Sequence, residues 1–148
     1  MILVDEFLAI QVVSGQPPEM LGEGPVALTY GRAYRLTRAL TESGPGRLRV
    51  RGRFTRLVDV LGQRDRQVLH EWLARPDPAV LSVVDPRPLI RTAAALQNTY
   101  ALSLLQAETL AAAADHEWPV RFGDPDSATA AVHRAALELR LDLAVVAT

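Results

Sequence analysis

Residues 1–15 read MILVDEFLAIQVVSG. Ile2-Leu3-Val4 is a short apolar run closed by an acid, Asp5, and this predicts a first strand buried on both faces. Phe7 to Val13 then carries a helical pattern until Gly15-Gln16-Pro17-Pro18 stops it. Strand followed by helix is the unit from which parallel sheets are built.

The same alternation recurs outward along the chain. Val26-Ala27-Leu28-Thr29 predicts a second strand, with a helix over 31–41 behind it and a clear break at Ser43-Gly44-Pro45-Gly46. Arg47 to Phe54 alternates arginine with mostly apolar residues, which fits an edge strand with a basic face or an extended loop. From Thr55 to Leu73 the spacing turns helical, divided at Gly62. Val80-Leu81-Ser82-Val83-Val84 predicts a third strand, closed by Asp85-Pro86. Helices are expected over 88–98 and 103–117, where the run Ala111–Ala114 implies close packing against another backbone. Pro119–Phe122 predicts a fourth strand, Gly123-Asp124-Pro125-Asp126 a turn, 127–139 a helix and Leu143–Val146 a fifth strand. The expectation is one domain over 1–148, a three-layer α/β/α fold with a central, mostly parallel five-stranded sheet.

Composition narrows the function classes. The 148 residues are 49% hydrophobic, ample for a core, and carry a formal net charge of −1. No apolar run approaches the roughly 18 residues of a membrane span. The N-terminus has no basic region before its apolar stretch, so a signal peptide is not expected and a cytoplasmic location is. There is no cysteine, hence no disulfide, thiolate metal site or cysteine nucleophile. All 16 basic residues are arginine. Without lysine, Schiff-base chemistry and the lysine-bearing phosphate loop are excluded, and an aspartyl phosphoryl-transfer site built on Asp5-Glu6 is disfavoured.

In an open parallel sheet, ligands sit beyond the carboxyl ends of the strands near the point where strand order reverses. Three of the predicted strands end on an acid: Asp5, Asp85 and Asp124, with Glu6 and Asp126 beside them. Carboxylates gathered at one sheet edge repel unless a divalent cation neutralises them, so Asp5, Asp124 and Asp126 are candidate ligands for Mg²⁺ or Mn²⁺. The same residues also fit a local use, Asp85-Pro86 as a strand exit and Asp124-Pro125-Asp126 as a turn with a helix N-cap. Arg47, Arg49, Arg51 and Arg53, with Arg56, form the densest basic segment. It suits an RNA backbone, although the net charge of −1 and the absence of interleaved aromatics weaken that case, or a solvated edge that blocks strand pairing. His70, His116 and His133 have no metal-ligand spacing.

The opening MILVD, the segment TYALSLLQAETLAAAADHEWPVRFGDPD (99–126) and the closing strand after a short helix resemble the PIN-domain family, in particular the small ribonuclease toxins of VapC-type toxin–antitoxin pairs. The resemblance runs from end to end. It implies metal-dependent cleavage of RNA phosphodiesters, with Asp5 and Asp124 as catalytic acids holding Mg²⁺ or Mn²⁺ and Asp126 as a further acid. An antitoxin-like partner protein and a homodimer are implied as well. Two acids of the family's pattern are absent: Gln106 stands at one, and Tyr34-Arg35 marks the other. The resemblance therefore implies weakened or lost catalysis. The rival reading is a non-catalytic PIN-like module that binds a partner or RNA.

Overall fold

A computed structural model describes residues 1–41 and 53–146. Five strands, β1 (Ile2–Val4), β2 (Val26–Thr29), β3 (Ser82–Val84), β4 (Val120–Phe122) and β5 (Leu143–Val145), form one sheet in the order β3-β2-β1-β4-β5. Every neighbouring pair is parallel, so the sheet is wholly rather than mostly parallel. Strand order reverses between β1 and β4, which are directly paired through Leu3 with Val120 and Val4 with Arg121.

The reversal sorts the helices onto two faces. Among the described residues, α1 (Glu6–Val13), α2 (Tyr30–Thr41), α3 (Arg53–Asp59) and α4 (Gln63–Ala74) pack over one face. There Leu8, Leu36, Val58 and Leu69 bury against Val4 and Leu28. α5 (Ile90–Thr99), α6 (Leu104–His116) and α7 (Ala130–Glu138) cover the other, where Ala93, Leu110 and Val132 meet Leu3, Ala27 and Phe122. Leu3 and Val4 point to opposite faces because successive strand side chains alternate, and both are fully buried. The result is the three-layer arrangement. Ala111, Ala112 and Ala113 are completely buried, in keeping with the close packing that their run implies.

Element ends depart from the sequence pattern where local hydrogen bonding decides. The third strand begins at Ser82, because the Val80 and Leu81 amides donate to the Asp77 carbonyl in a turn. Over 88–98, a 3₁₀ turn at Arg87–Leu89 precedes the helix. The expected helix over 127–139 is likewise split: Pro125–Ser127 makes a 3₁₀ turn, and α7 begins only after Thr129, whose hydroxyl accepts from the Val132 amide. Gly62 does divide two helices. Of the alternating basic segment, 47–52 lies outside the described residues, while Arg53 and Phe54 open α3.

Among the described residues, two helices end in left-handed residues that are not glycine. Arg140 (φ 56°) follows α7, where the Leu141 amide returns to the Ala136 carbonyl and the Arg140 amide to Leu137. Glu117 (φ 57°) closes α6, with the Trp118 amide donating to the Ala113 carbonyl. A side chain in this conformation is strained, and glycine is the usual occupant. Arg140→Gly and Glu117→Gly are each expected to stabilise the fold by about 0.5–1 kcal/mol, read as a higher urea midpoint.

Candidate functional site

Parallel strands deliver their carboxyl ends, and the amino ends of the following helices, to one edge of the sheet. Those first helical turns present backbone N–H groups with no partner of their own. Acids gather here for that reason. Asp5, after β1, accepts from the Leu8 amide (3.1 Å) and caps α1. Asp85, after β3, accepts from the Arg87 amide (3.0 Å). Asp124, after β4, accepts from the Asp126 amide (3.0 Å) and caps the 3₁₀ turn. Asp5 and Asp124 thus cap the turns that follow their strands, whereas Asp85 closes a local turn two residues on without capping a helix.

Asp5 does more than cap. It is fully buried, and its two oxygens also accept from the Gly123 amide (3.0 Å), the Asp124 amide (2.9 Å) and the Ser127 hydroxyl (3.1 Å). A carboxylate offers about four lone-pair sites, and four donors take them. The side chain is a clasp tying the end of β1 to the loop after β4 across the switch point. Gly123 makes the approach possible, since a Cβ there would stand 2.9 Å from the Phe7 Cβ. Burial pushes the Asp5 carboxyl above its ordinary value of 3.8, with the amides of Asp124, Gly123 and Leu8 and the charge of Arg32 pulling it part of the way back.

Beside the clasp lies a buried ion cluster. Glu6 is 1% exposed, and its carboxylate meets Arg32 Nη1 at 2.8 Å and Arg35 Nη1 at 3.1 Å. Arg32, itself 2% exposed, donates from Nε to the Thr109 hydroxyl at 2.8 Å and lies over the Phe122 ring, 5.2 Å from its centroid. It therefore joins α2 to α1, α6 and β4. Arg35 is partly open to solvent and stacks on Phe54 at 4.5 Å. Burial raises the Glu6 pKa, but Arg32 and Arg35 outweigh it and hold the carboxyl below its ordinary 4.5.

Glu108 is also engaged: its Oε1 accepts from the Gly31 amide (2.9 Å) at the start of α2. Gln106, at a position where the resemblance expects an acid, belongs to a capping box with Ser103 at the start of α6. A cleft of about 200 Å³ opens at this edge, with Arg32, Arg35, Gln106, Asp124 and Asp126 on its walls. It is smaller than the roughly 300–1,000 Å³ of a typical small-molecule pocket.

These residues do not fit a divalent metal. Among the described residues, no three histidine, aspartate or glutamate side chains are grouped so as to hold one. The Asp5 oxygens are saturated by donors, the Asp124 Oδ1 takes the Asp126 amide, and the positive charge in the site is guanidinium. Asp126 is exposed at the rim. Of the basic candidates, Arg47, Arg49 and Arg51 lie outside the described residues, and Arg53 begins α3. Sequence reading missed Arg32 and Thr109, and expected Glu108, about 200° round the helix from Gln106, to face away. Arginines at 32 and 35 lie three apart on one face of the helix after β2, whose neighbour β1 ends at Asp5-Glu6, but nothing local marks Arg32 as the buried one.

No protein-family model matches the chain, and no curated protein sequence matches it.

Removing one partner of a buried ion pair strands the other charge. Glu6→Gln is expected to cost about 3 kcal/mol at pH 7. The Glu6 contribution is fully present above its unfolded value of 4.5 and disappears as pH falls through its lower folded value. The gap between wild type and Glu6→Gln should accordingly narrow below pH 4.5, as measured by urea denaturation from pH 7 to pH 3.

Proposed function

We propose that the chain is a PIN-like domain, related in design to toxin-type ribonucleases, that binds RNA without cutting it. The single observation carrying this reading is the state of Asp5. Its carboxylate is spent on four internal donors, and the neighbouring positive charge is the Arg32 guanidinium rather than a site for an exchangeable ion. A guanidinium stays protonated and offers only N–H donors. It can neutralise and orient an anion, but it cannot lower the pKa of a bound water as a metal does. Arg35, stacked on Phe54 at the cleft wall, supports contact with a phosphate backbone. The five-stranded α/β/α arrangement agrees with what the resemblance implies about fold. Mg²⁺ or Mn²⁺ plays no part in this function.

Incubation of a labelled structured RNA with the purified protein in Mn²⁺, Mg²⁺ or EDTA tests the reading. The RNA is expected to remain intact in all three, with wild type and Asp5→Asn alike. Metal-dependent cutting by wild type that vanishes in Asp5→Asn would sink it and restore Asp5 as a catalytic acid.

A further inference from the structure

The helix that supplies Arg32 and Arg35 to the cleft also presents an outward face that the site does not use. Tyr30 and Tyr34 stand on it one turn apart, 54% and 57% exposed, and among the described residues no other Phe, Tyr or Trp is more than half exposed. Neither hydroxyl has a hydrogen-bond partner among the described residues. Arg38 continues the stripe a further turn, its guanidinium carbon 6.0 Å from the Tyr34 ring centroid. α2 itself contains three arginines and no acid.

Charge is also segregated along the sequence. Residues 30–56 hold eight arginines and one glutamate, whereas the rest of the chain holds eight arginines and sixteen acids. A protein of net charge −1 has thus concentrated its positive charge in the stretch that begins with this helix. A polyanion is the complementary partner.

Resting on the RNA-binding reading above, we infer that the Tyr30–Tyr34–Arg38 face of α2 is a stacking platform for single-stranded RNA, with Arg35 at the cleft end of the track. Every base has a π-face that an aromatic ring can take, and the adjoining cations hold the backbone. Residues four apart on a helix are separated by about 6 Å along its axis, a step that splayed, unstacked bases can follow. A duplex keeps its bases stacked inside and offers these rings nothing. Two exposed tyrosines among arginines therefore favour single strands over duplexes, a preference that basic charge alone would not produce.

The test is fluorescence anisotropy with a labelled 12-nucleotide oligouridylate, the matching deoxy-oligomer and a 12-base-pair RNA duplex, over a series of salt concentrations. Wild type is expected to bind the single-stranded RNA more tightly than the duplex. Tyr30→Ala and Tyr34→Ala should each weaken that binding about tenfold, while Tyr34→Trp retains it and Leu137→Ser, on the opposite layer, leaves it unchanged. Arg38→Gln should reduce the salt slope by about one. Binding that survives both alanine variants, or that is equal for duplex and single strand, would overturn the platform while leaving RNA binding itself intact. A wild type that binds no RNA at low salt would overturn both, and would leave the face to a protein partner. Cutting of RNA in Mn²⁺ would overturn only the non-cleaving reading.

Discussion

The hydrogen bonds of the Asp5 carboxylate are the constraint on which this edge of the molecule depends. β1 and β4 are adjacent in the sheet but 115 or more residues apart in sequence, and their carboxyl ends open into α1 and into the turn before α7. Backbone pairing ends where the strands end. Past that point the Gly123 and Asp124 amides and the Leu8 amide in the first turn of α1 need acceptors, and one side chain supplies them. An unsatisfied buried donor costs about 1–3 kcal/mol. Holding several with one residue therefore fixes the geometry of the switch point, where an open parallel sheet would ordinarily place a ligand.

The electrostatics follow from the same burial. Asp5, Glu6 and Asp124 lie at one edge in low dielectric, and their mutual repulsion has to be offset by positive charge. The fold provides it from α2: Arg32 is inserted between α1 and α6, and the partly exposed Arg35 meets the other oxygen of Glu6. The two acids respond in opposite directions. Burial dominates at Asp5, which rises, whereas the two guanidinium groups dominate at Glu6, which falls. A cation that belongs to the chain, held by a carboxylate, a hydroxyl and an aromatic face, leaves little for an exchangeable ion to do.

Much of the fold was legible in the sequence because parallel strands buried on both faces read as short apolar runs. Ile2–Val4 and Val26–Thr29 match their strands, and the acids after the first, third and fourth strands marked the edge where the site lies. Element ends were less legible. The Asp77 turn shortens the third strand, and the Thr129 cap delays α7; both depend on individual hydrogen bonds that periodicity does not encode. At the site, spacing identified Asp5 and Asp124 but could not distinguish a ligand from a cap, since both uses want a carboxylate at a strand end. Arg32 was invisible for a related reason. Nothing local separates a buried arginine from its exposed neighbours on the same helix, because its partners, Glu6 and Thr109, are 26 and 77 residues away.

The most direct measurement is thermal unfolding of wild type and Asp5→Asn, each in EDTA and in millimolar Mn²⁺. A ligand that binds only the folded state raises its melting temperature, and at 100 times its dissociation constant adds about 2.7 kcal/mol of stability. If Asp5 is a clasp, Asp5→Asn melts lower than wild type by the same interval in both solutions, and Mn²⁺ moves neither protein. A rise of several degrees for wild type in Mn²⁺, absent from Asp5→Asn, would show that Asp5 gives up its internal donors to a metal ion and would contradict the structural role assigned to it here.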